Sequence, residues 1–500
     1  MANDAIPPRG GALAAIAASS DHDQAVEGPS RRTLRRRRQR ADAAARRNIV
    51  DRFPPDLLAE IHRYLHVRGA DFLQRLAFAS VCQASSSAAH LFRQETPCLL
   101  LPSPVVAESD GDRDDAKEDE EDFTKATVFS VADRRGATVR TSDPAMRGQA
   151  ILGSSCGWLV TADESGTLRM ANPVTGAQVA LPAITTGSIP VVKRQGCYFD
   201  LDPEAFLQIR FAGAPPPDYG GPVRGRTYTF REEQMAEYFC RKVVLSAPPH
   251  GGGGGGGGYA AMLVMERDLG APAFATSEDP EWRMAPSRDG VEDAIHHDGR
   301  FYSITYSGVV EAWDQRKNNG GAAEWTSAVV APTLPPPSDD ATLRRKYLAV
   351  GPGGQLMAVL KHAAADAEGA ARFPRRVTRV WFTVQVLDEA RGRWDEAVDI
   401  GDAAIFVGIN ASLCVPAAEH RRVVPSCVYF TDDEVPDACQ RHRNRDAYRR
   451  CSYRDVDDSE LRNAGVYSLM SGKVEKIGSS CLGENEIMWP VAAWFTPSVV

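Results

Sequence analysis

The segment GRFYSITYSGVVEAWD, residues 299–314, is apolar on both of its faces and is broken once, at Ser307-Gly308. A two-residue loop there predicts a β-hairpin. In that hairpin Tyr306 faces Val309, Ile304 faces Glu311 and Tyr302 faces Trp313, with Thr305 opposite Val310 and Ser303 opposite Ala312 on the other side. Two strands alone are not stable in water, and a ribbon without a polar face must be covered on both sides. The chain repeats the unit in GWLVTADESGTLRMANP (157–173), KYLAVGPGGQLMAVLK (346–361) and VYSLMSGKVEKI (466–477). Turn chemistry recurs while the letters do not, which is how a diverged structural repeat reads.

A second element follows at irregular distance: NPVTGAQVALP, EDPEWRMAP, GGAAEWTSAVVAP and EARGRWDEAVDIG. Each is a polar turn and then a large residue (Val179, Trp282, Trp325, Trp394) in a short exposed strand. An inner hairpin plus an outer strand makes a β-propeller blade, and blades stacked around an axis explain inner hairpins that are apolar on both faces. A β-sandwich predicts cleaner alternation of buried and exposed residues. The fold class expected is therefore mainly β: an irregular β-propeller of about six blades over residues 123–498, behind a small three-helix module.

The rest of the chain divides by composition. Residues 1–45 are rich in Ala, Gly and Arg without an apolar stripe and read as a disordered basic tail. Within it, RRTLRRRRQR (Arg31 to Arg40) suits either a solvated tail or a nuclear-import signal. Residues 46–98 read as helical: in FPPDLLAEIHRYL, Leu57, Leu58, Ile61 and Leu65 fall on one face, and proline is tolerated in the first turn. GADFLQRLAFASVCQAS and SSAAHLFRQE supply two more short helices. So small a core commonly finishes burying its apolar surface against a partner. Residues 99–122, which include ESDGDRDDAKEDEED, read as an acidic linker.

The helical stretch resembles an F-box, whose pattern is Leu-Pro-x-Asp-Leu-Leu-x-Glu-Ile, a spacer, and Val-Cys-x-x-Trp. Pro54, Asp56, Leu57, Leu58, Glu60, Ile61, Val81 and Cys82 match; Phe53 replaces the first leucine and Ser85 stands where the tryptophan usually is. The blade texture, in ILGSSCGWLVTADESGTLRMANPVTGAQVALP, GRFYSITYSGVVEAWD, RKYLAVGPGGQLMAV and WFTPS, is similar to plant F-box-associated propellers of the KIB type, formerly a domain of unknown function, over roughly 125–498. The resemblance implies a substrate-receptor subunit of a Skp1–cullin–F-box ubiquitin ligase. A Skp1-like adaptor, and through it a cullin, would dock on Pro54, Leu57, Leu58, Ile61, Leu65 and Val81, while the propeller binds a target protein. The alternative is a non-catalytic propeller scaffold whose F-box no longer binds the adaptor, for which Ser85 speaks.

Other chemistry finds little footing. Net charge is −8 and no apolar run reaches the roughly 18 residues of a membrane span. GALAAIAAS (11–19) is too short, and lacks the basic leader, for a secretory signal. The ten cysteines have no paired spacing, as expected of a reduced intracellular chain; with the basic run this points to nucleus and cytoplasm. Cys427, Cys439, His442 and Cys451 contain only one pair at zinc-like spacing, and HHD (296–298) reads as a polar turn. RHRNRDAYRRCSYR (441–454) interleaves Arg and Tyr as nucleic-acid surfaces do, but its acidic neighbours favour a solvated loop. The eight glycines 251–258 read as a loop, without the Lys-Ser/Thr of a phosphate loop. No nucleophile elbow, nucleotide fingerprint or His-Glu-x-x-His occurs. The expectation is no enzyme, no cofactor, no metal, no membrane and no nucleic acid.

Two expectations concern topology. Residues 123–141 should be strands of the propeller that help to close its ring. Residues 434–464 should be an excursion inside one blade, so that CVYFTDD and GVYSLMSG become neighbours in one sheet.

Overall fold

The computed structural model describes residues 53–67, 74, 75, 78, 95–101, 125–140, 149–216 (apart from 164, 175, 185–188, 190, 191 and 197), 228–231, 239–249, 258–316 (apart from 267 and 268), 324–336, 343–365, 377–431, 433, 464–477 and 492–498. The tail, Val81, Ser85, nearly all of the acidic linker, the glycines 251–257 and the 434–463 segment with Cys439, His442 and Cys451 lie outside them.

Six sheets form the six blades of a propeller. Blade I is β4 (Ala150–Ser155), β5 (Trp158–Ala162), β6 (Leu168–Ala171) and β7 (Gln178–Ala180). Blade II is β11 (Cys240–Leu245), β12 (Ala260–Met265), β13 (Ala273–Thr276) and β14 (Arg283–Met284). Blade III is β15 (Val291–His297), β16 (Arg300–Thr305), β17 (Val310–Arg316) and β18 (Glu324–Ala331). Blade IV is β19 (Leu343–Val350), β20 (Leu356–Ala365), β21 (Val377–Asp388) and β22 (Arg393–Ala397). Blade V orders its strands β24 (Ser412–Pro416), β23 (Ala403–Val407), β25 (Cys427–Phe430), β26 (Gly465–Ser468) and β27 (Val474–Lys476). Here β23 and β25 run parallel. Between blades I and II sit a three-stranded sheet, β8 (Val192–Gln195), β9 (Tyr198–Leu201) and β10 (Tyr228–Arg231), and the helix α2 (Pro203–Arg210).

Blade VI closes the ring. Its innermost strand is the late β28 (Ala493–Phe495), followed by β1 (Cys98–Leu101), β2 (Lys125–Ser130) and β3 (Arg135–Arg140). Cys98 pairs with Phe495 on one side and Ser130 on the other. The expected strands of 123–141 are thus in place as the outer half of this blade. The boundary before them moves, however: CLLL, read as the end of the helical module and the start of the linker, is a blade strand. All four of its residues are buried because blades V and I cover both of its faces.

The described core consists of six apolar clusters, one at each blade interface. Trp158 and Val160 meet Val243 and Leu263 between blades I and II, and Leu100 and Phe495 meet Ile151 and Leu159 between VI and I. A closed ring needs this pattern, since every blade must be covered on both faces.

The four hairpins form, but they are not equivalent pieces of a blade. β16–β17 and β5–β6 are second and third strands, β19–β20 first and second, and β26–β27 the outermost pair. The register expected for 299–314 is off by one. Phe301 pairs with Trp313 and Ile304 with Val310, because the loop has three residues, Tyr306 to Gly308. The Thr305 hydroxyl accepts from Val309 N at 3.0 Å, and Gly308 takes φ +84°, the geometry of a turn completed by a left-handed residue. A one-residue change of register re-pairs every side chain, which sets Trp313 beside Ser303, to whose Oγ its Nε1 donates at 2.9 Å.

Val179 is half-buried in β7, but the three large tryptophans of the other outer strands are buried anchors, although their strands are edges. Trp282, Trp325 and Trp394 are 0, 7 and 8% exposed. Trp282 Nε1 donates to the carbonyl of Pro182, just past β7, at 2.7 Å, and Trp394 Nε1 donates to that of Pro332, just past β18, at 2.6 Å. Each ties its blade to the end of the one before. Trp282→Phe keeps the ring but strands that carbonyl, so stability should fall by about 1–3 kcal/mol. The check is a lower denaturant midpoint with an unchanged slope.

The flanks of the charged excursion meet as expected: Cys427 pairs with Ser468 and Phe430 with Gly465. Of HHD, read as a turn, only Asp298 turns: His296 and His297 end β15, and Asp298-Gly299 reverse the chain at positive φ.

Candidate functional site

In a blade of alternating strands, connections between second and third strands and between one blade's fourth strand and the next blade's first leave on the same face. We call this the upper face; the remaining connections leave below. Three features lie on this frame: a docked helix below, a charged network at the axis and a cleft above.

The helix α1 (Pro55–Val67) begins where Leu57 N and Leu58 N both bond the Pro54 carbonyl. Its inward face is Leu58 and His62, spaced i, i+4 and 1 and 2% exposed. His62 turns toward a buried ion cluster centred on Glu95. Arg75 reaches that carboxylate with Nε at 3.2 Å and Nη2 at 3.0 Å, and His62 Nε2 lies 3.6 Å away. Arg75 also faces Asp133, at 3.9 Å, on the connection from β2 to β3. Two residues before β1, Thr96 Oγ1 lies 3.1 Å from His420 Nδ1, just past β24 in blade V. These connections are lower ones, so α1 lies on the lower face. The outward face of α1 carries Leu57 and Tyr64, i and i+7, at 43 and 52% exposure.

Of the residues read as adaptor contacts, Pro54 and Leu57 are exposed, and Ile61 and Leu65 are half-buried. Leu58 is closed off inside the chain. The helical period alone cannot say which side of a stripe faces the chain's own fold, so Leu58 looked equivalent to Leu57. Tyr64 was missed for the same reason.

At the axis, the first strands of blades I to IV each carry a one-residue bulge at the same place, after Ile151, Cys240, Val291 and Leu343. In blades II to IV the bulge holds a charged doublet: Arg241-Lys242, Glu292-Asp293 and Arg344-Arg345. Bulges re-aim side chains, and here they set neighbouring blades in register by charge. Asp293, 0% exposed, accepts from Lys242 Nζ of blade II at 2.7 Å, Leu348 N of blade IV at 2.9 Å and Ser412 Oγ of blade V at 2.8 Å. Glu292 takes Lys346 Nζ at 2.7 Å. Asp433 accepts from Tyr347 and Lys361, with Arg345 nearby. Burial alone would raise the pKa of Asp433, but Lys361 and Arg345 hold it below the usual carboxylate value, while burial pushes Tyr306 up to about 12. The sequence signal, charged doublets opening apolar strands, was legible and went unread. The chemistry is mutual neutralisation: Lys242 pairs with Asp293, Lys346 with Glu292 and Lys361 with Asp433.

On the upper face, a cleft of about 440 Å³ opens between the end of α2 and blade III, lined by Arg210, Phe211, Pro286, Ser287, Glu311 and Ser327 among others. The Arg210 guanidinium lies over Gly270 and Gly290, where an added Cβ would come within 2.6 and 2.9 Å of its nitrogens. Ser287 N donates to the Arg210 carbonyl at 3.1 Å, tying the loop to the helix. Ser327 Oγ donates to Glu311 Oε1 at 3.2 Å. Burial, with the Asp289 charge added, raises the Glu311 pKa.

Among the described residues no three His, Cys, Asp or Glu side chains converge as metal ligands, and Cys427 is a buried residue of β25.

Residues 128–468 match the family model of the KIB1-4 beta-propeller. The chain belongs to that family. It is also 25% identical over 248 residues to an F-box protein of Arabidopsis thaliana, a match covering 46% of this chain and 52% of that protein; the chain thus spans about half the length of the curated relative it matches. Among solved structures it is similar to YjhT (10% identity, TM-score 0.25, 54% of this chain and 77% of that one) and to apo AztD from Citrobacter koseri (10% identity, TM-score 0.18, 60% and 94%). At such scores these two carry no argument. The mainly β fold read from the KIB1-4 sequence is the fold the chain has, with six blades.

Proposed function

We propose that this KIB1-4 propeller protein is the substrate-receptor subunit of a Skp1–cullin–F-box ubiquitin ligase. The observation that carries the reading is the division of α1: an inward face on which Leu58 is buried and His62 meets Glu95, and an outward face on which Leu57 and Tyr64 are exposed. Likeness to an F-box protein supports the same role. On this reading a Skp1-like adaptor covers Leu57 and Tyr64 below, and a target protein is held on the propeller. Ubiquitin transfer is accelerated by proximity alone, so the chain needs no catalytic residue, cofactor or metal. The basic run Arg31 to Arg40 would serve import, placing the protein in nucleus and cytoplasm.

The test separates the two faces of α1. Leu57→Asp with Tyr64→Asp puts charges where an adaptor would desolvate them, so adaptor affinity should fall at least about a hundredfold while the melting temperature stays put. Leu58→Asp should lower both, because that side chain is interior. If the outward pair leaves adaptor binding unchanged, or wild type shows none, the scaffold reading suggested by Ser85 takes its place.

A further inference from the structure

Two residues of the lower face, Asp133 and His420, are each followed by a pair of exposed arginines. Asp133, which faces Arg75, leads into Arg134 and Arg135 on the connection from β2 to β3. His420, which meets Thr96, leads into Arg421 and Arg422 on the connection from β24 to β25. The two connections, of blades VI and V, touch: Arg422 Nη1 donates to the Asp133 carbonyl at 3.3 Å. Arg134 comes close enough for its charge to act on Tyr429, whose hydroxyl accepts from Val424 N at 2.9 Å. Val424 itself is 49% exposed, and Pro425 beside it is exposed too. An apolar spot set among arginines is a surface of the kind that protein interfaces favour.

Two of the arginines stand in the left-handed region, Arg134 at φ +53° and Arg422 at φ +61°. That region favours glycine, and a long side chain there is uncommon. Backbone of this kind gathers at sites that hold a ligand, where it is tolerated for what it presents. Most of the acids nearby are engaged: Asp133 by Arg75 and Ser130 Oγ, Asp399 by Ser426 Oγ and Gly401 N, and Asp402 by Ala418 N. Glu419 and Glu475 stand beside the four arginines, so the exposed charge is positive on balance. The patch is also near α1, which reaches it in a chain of three contacts: His62 to Glu95, Glu95 to Arg75 and Arg75 to Asp133.

We propose that these arginines form the electrostatic half of the interface that α1 begins. An acidic segment of the adaptor lies across Arg134, Arg135, Arg421 and Arg422 while its apolar surface covers Leu57 and Tyr64. The inference rests on the receptor reading for the identity of the partner. It adds the chemistry of that partner, a run of Asp or Glu side chains, and the place where the run lies, on the loops of blades V and VI. Exposed charges of this kind govern the rate of encounter more than the lifetime of the complex, and salt screens them. The rival occupant is the chain's own acidic run within 108–122, which joins β1 to β2.

The experiment follows association of the full chain with a purified Skp1-like adaptor by surface plasmon resonance, between about 50 and 500 mM salt. Arg134→Gly with Arg422→Gly removes two charges at positions whose backbone suits glycine. Its melting temperature should therefore hold or rise. Its association rate at low salt should nevertheless fall at least about tenfold, with dissociation little changed, and the two proteins should converge at high salt. Arg135→Glu with Arg421→Glu reverses the charge and should act in the same direction more strongly. A wild-type rate indifferent to salt, or arginine variants that associate as fast as wild type at low salt, would overturn the proposal. If the variants leave the adaptor rate alone but speed proteolysis within 108–122, the patch belongs to the chain's own acidic run and the proposal again fails. In each of these cases binding that Leu57→Asp with Tyr64→Asp abolishes keeps the receptor reading intact, whereas a wild-type chain that binds no adaptor overturns both.

Discussion

Trp494→Ala is expected to open the ring. This side chain is 0% exposed at the centre of the closing blade, and its Nε1 donates to Val407 O at 3.0 Å. Asn410 brackets its backbone, donating to Trp494 O at 2.7 Å and accepting from Trp494 N at 3.1 Å. Phe406 packs on it edge-on at 4.9 Å. Truncating a buried aromatic of this size costs about 3–5 kcal/mol, a large share of the roughly 5–15 kcal/mol that holds a domain together. The loss falls on blade VI, where β28, a strand of three residues, pairs the late chain with β1. Thermal unfolding should therefore shift down by many degrees and lose its single cooperative transition. Hydrogen exchange should show β1, β2 and β28 opening before blades II to IV. A variant that melted as one unit near the wild-type temperature would mean that closure is carried elsewhere.

The second large effect is expected at Asp293. It bonds groups of blades II, IV and V at once, so Asp293→Ala leaves Lys242 buried without its counter-charge and frees Leu348 N and Ser412 Oγ. Removing one partner of a buried ion pair costs about 3–5 kcal/mol. Replacing the pair together, Lys242→Met with Asp293→Leu, should recover much of that, because the desolvation of two charges is avoided. A double variant as unstable as the single one would show that the bonds to Leu348 and Ser412, rather than the ion pair, carry the site.

Asp433 makes the same network sensitive to acid. Its folded pKa lies below the ordinary value, held there by Lys361 and Arg345 against the effect of burial. Such a group contributes stability that is present above the unfolded pKa of about 4 and lost as pH falls through the lower, folded value.

How legible this was in the sequence depends on whether a feature is local. Turn residues and apolar runs are local, so the hairpins, the β class and the blade texture could be read from residues such as Ser165-Gly166 or Asp298-Gly299. Register was lost at Tyr306–Gly308 because two- and three-residue loops share the Ser-Gly signal, and only the Thr305 cap on Val309 distinguishes them. CLLL was misplaced because its reason to be a strand is β28, almost 400 residues away. The tryptophans were read as belonging to exposed strands, although an edge strand can still aim one large side chain into the neighbouring blade. The candidate sites were harder still. Leu57 and Leu58 are adjacent letters on one amphipathic stripe, and which of them is interior is set by tertiary burial that the helical period does not encode. The cleft joins residues from α2, the connection after β14, β17 and β18, whose proximity no spacing encodes.

The central claim, that the chain carries a target-binding propeller to a ligase through its helical module, meets its most direct test in one reconstitution. Full-length chain, a purified Skp1-like adaptor and a cullin amino-terminal domain are mixed and separated by gel filtration with light scattering. The account predicts a single species of the mass of one copy of each, which Leu57→Asp with Tyr64→Asp dissolves into free chain and an adaptor–cullin pair. A wild-type chain that elutes alone, while another F-box protein assembles under the same conditions and Ser85→Trp does not rescue it, would contradict the account.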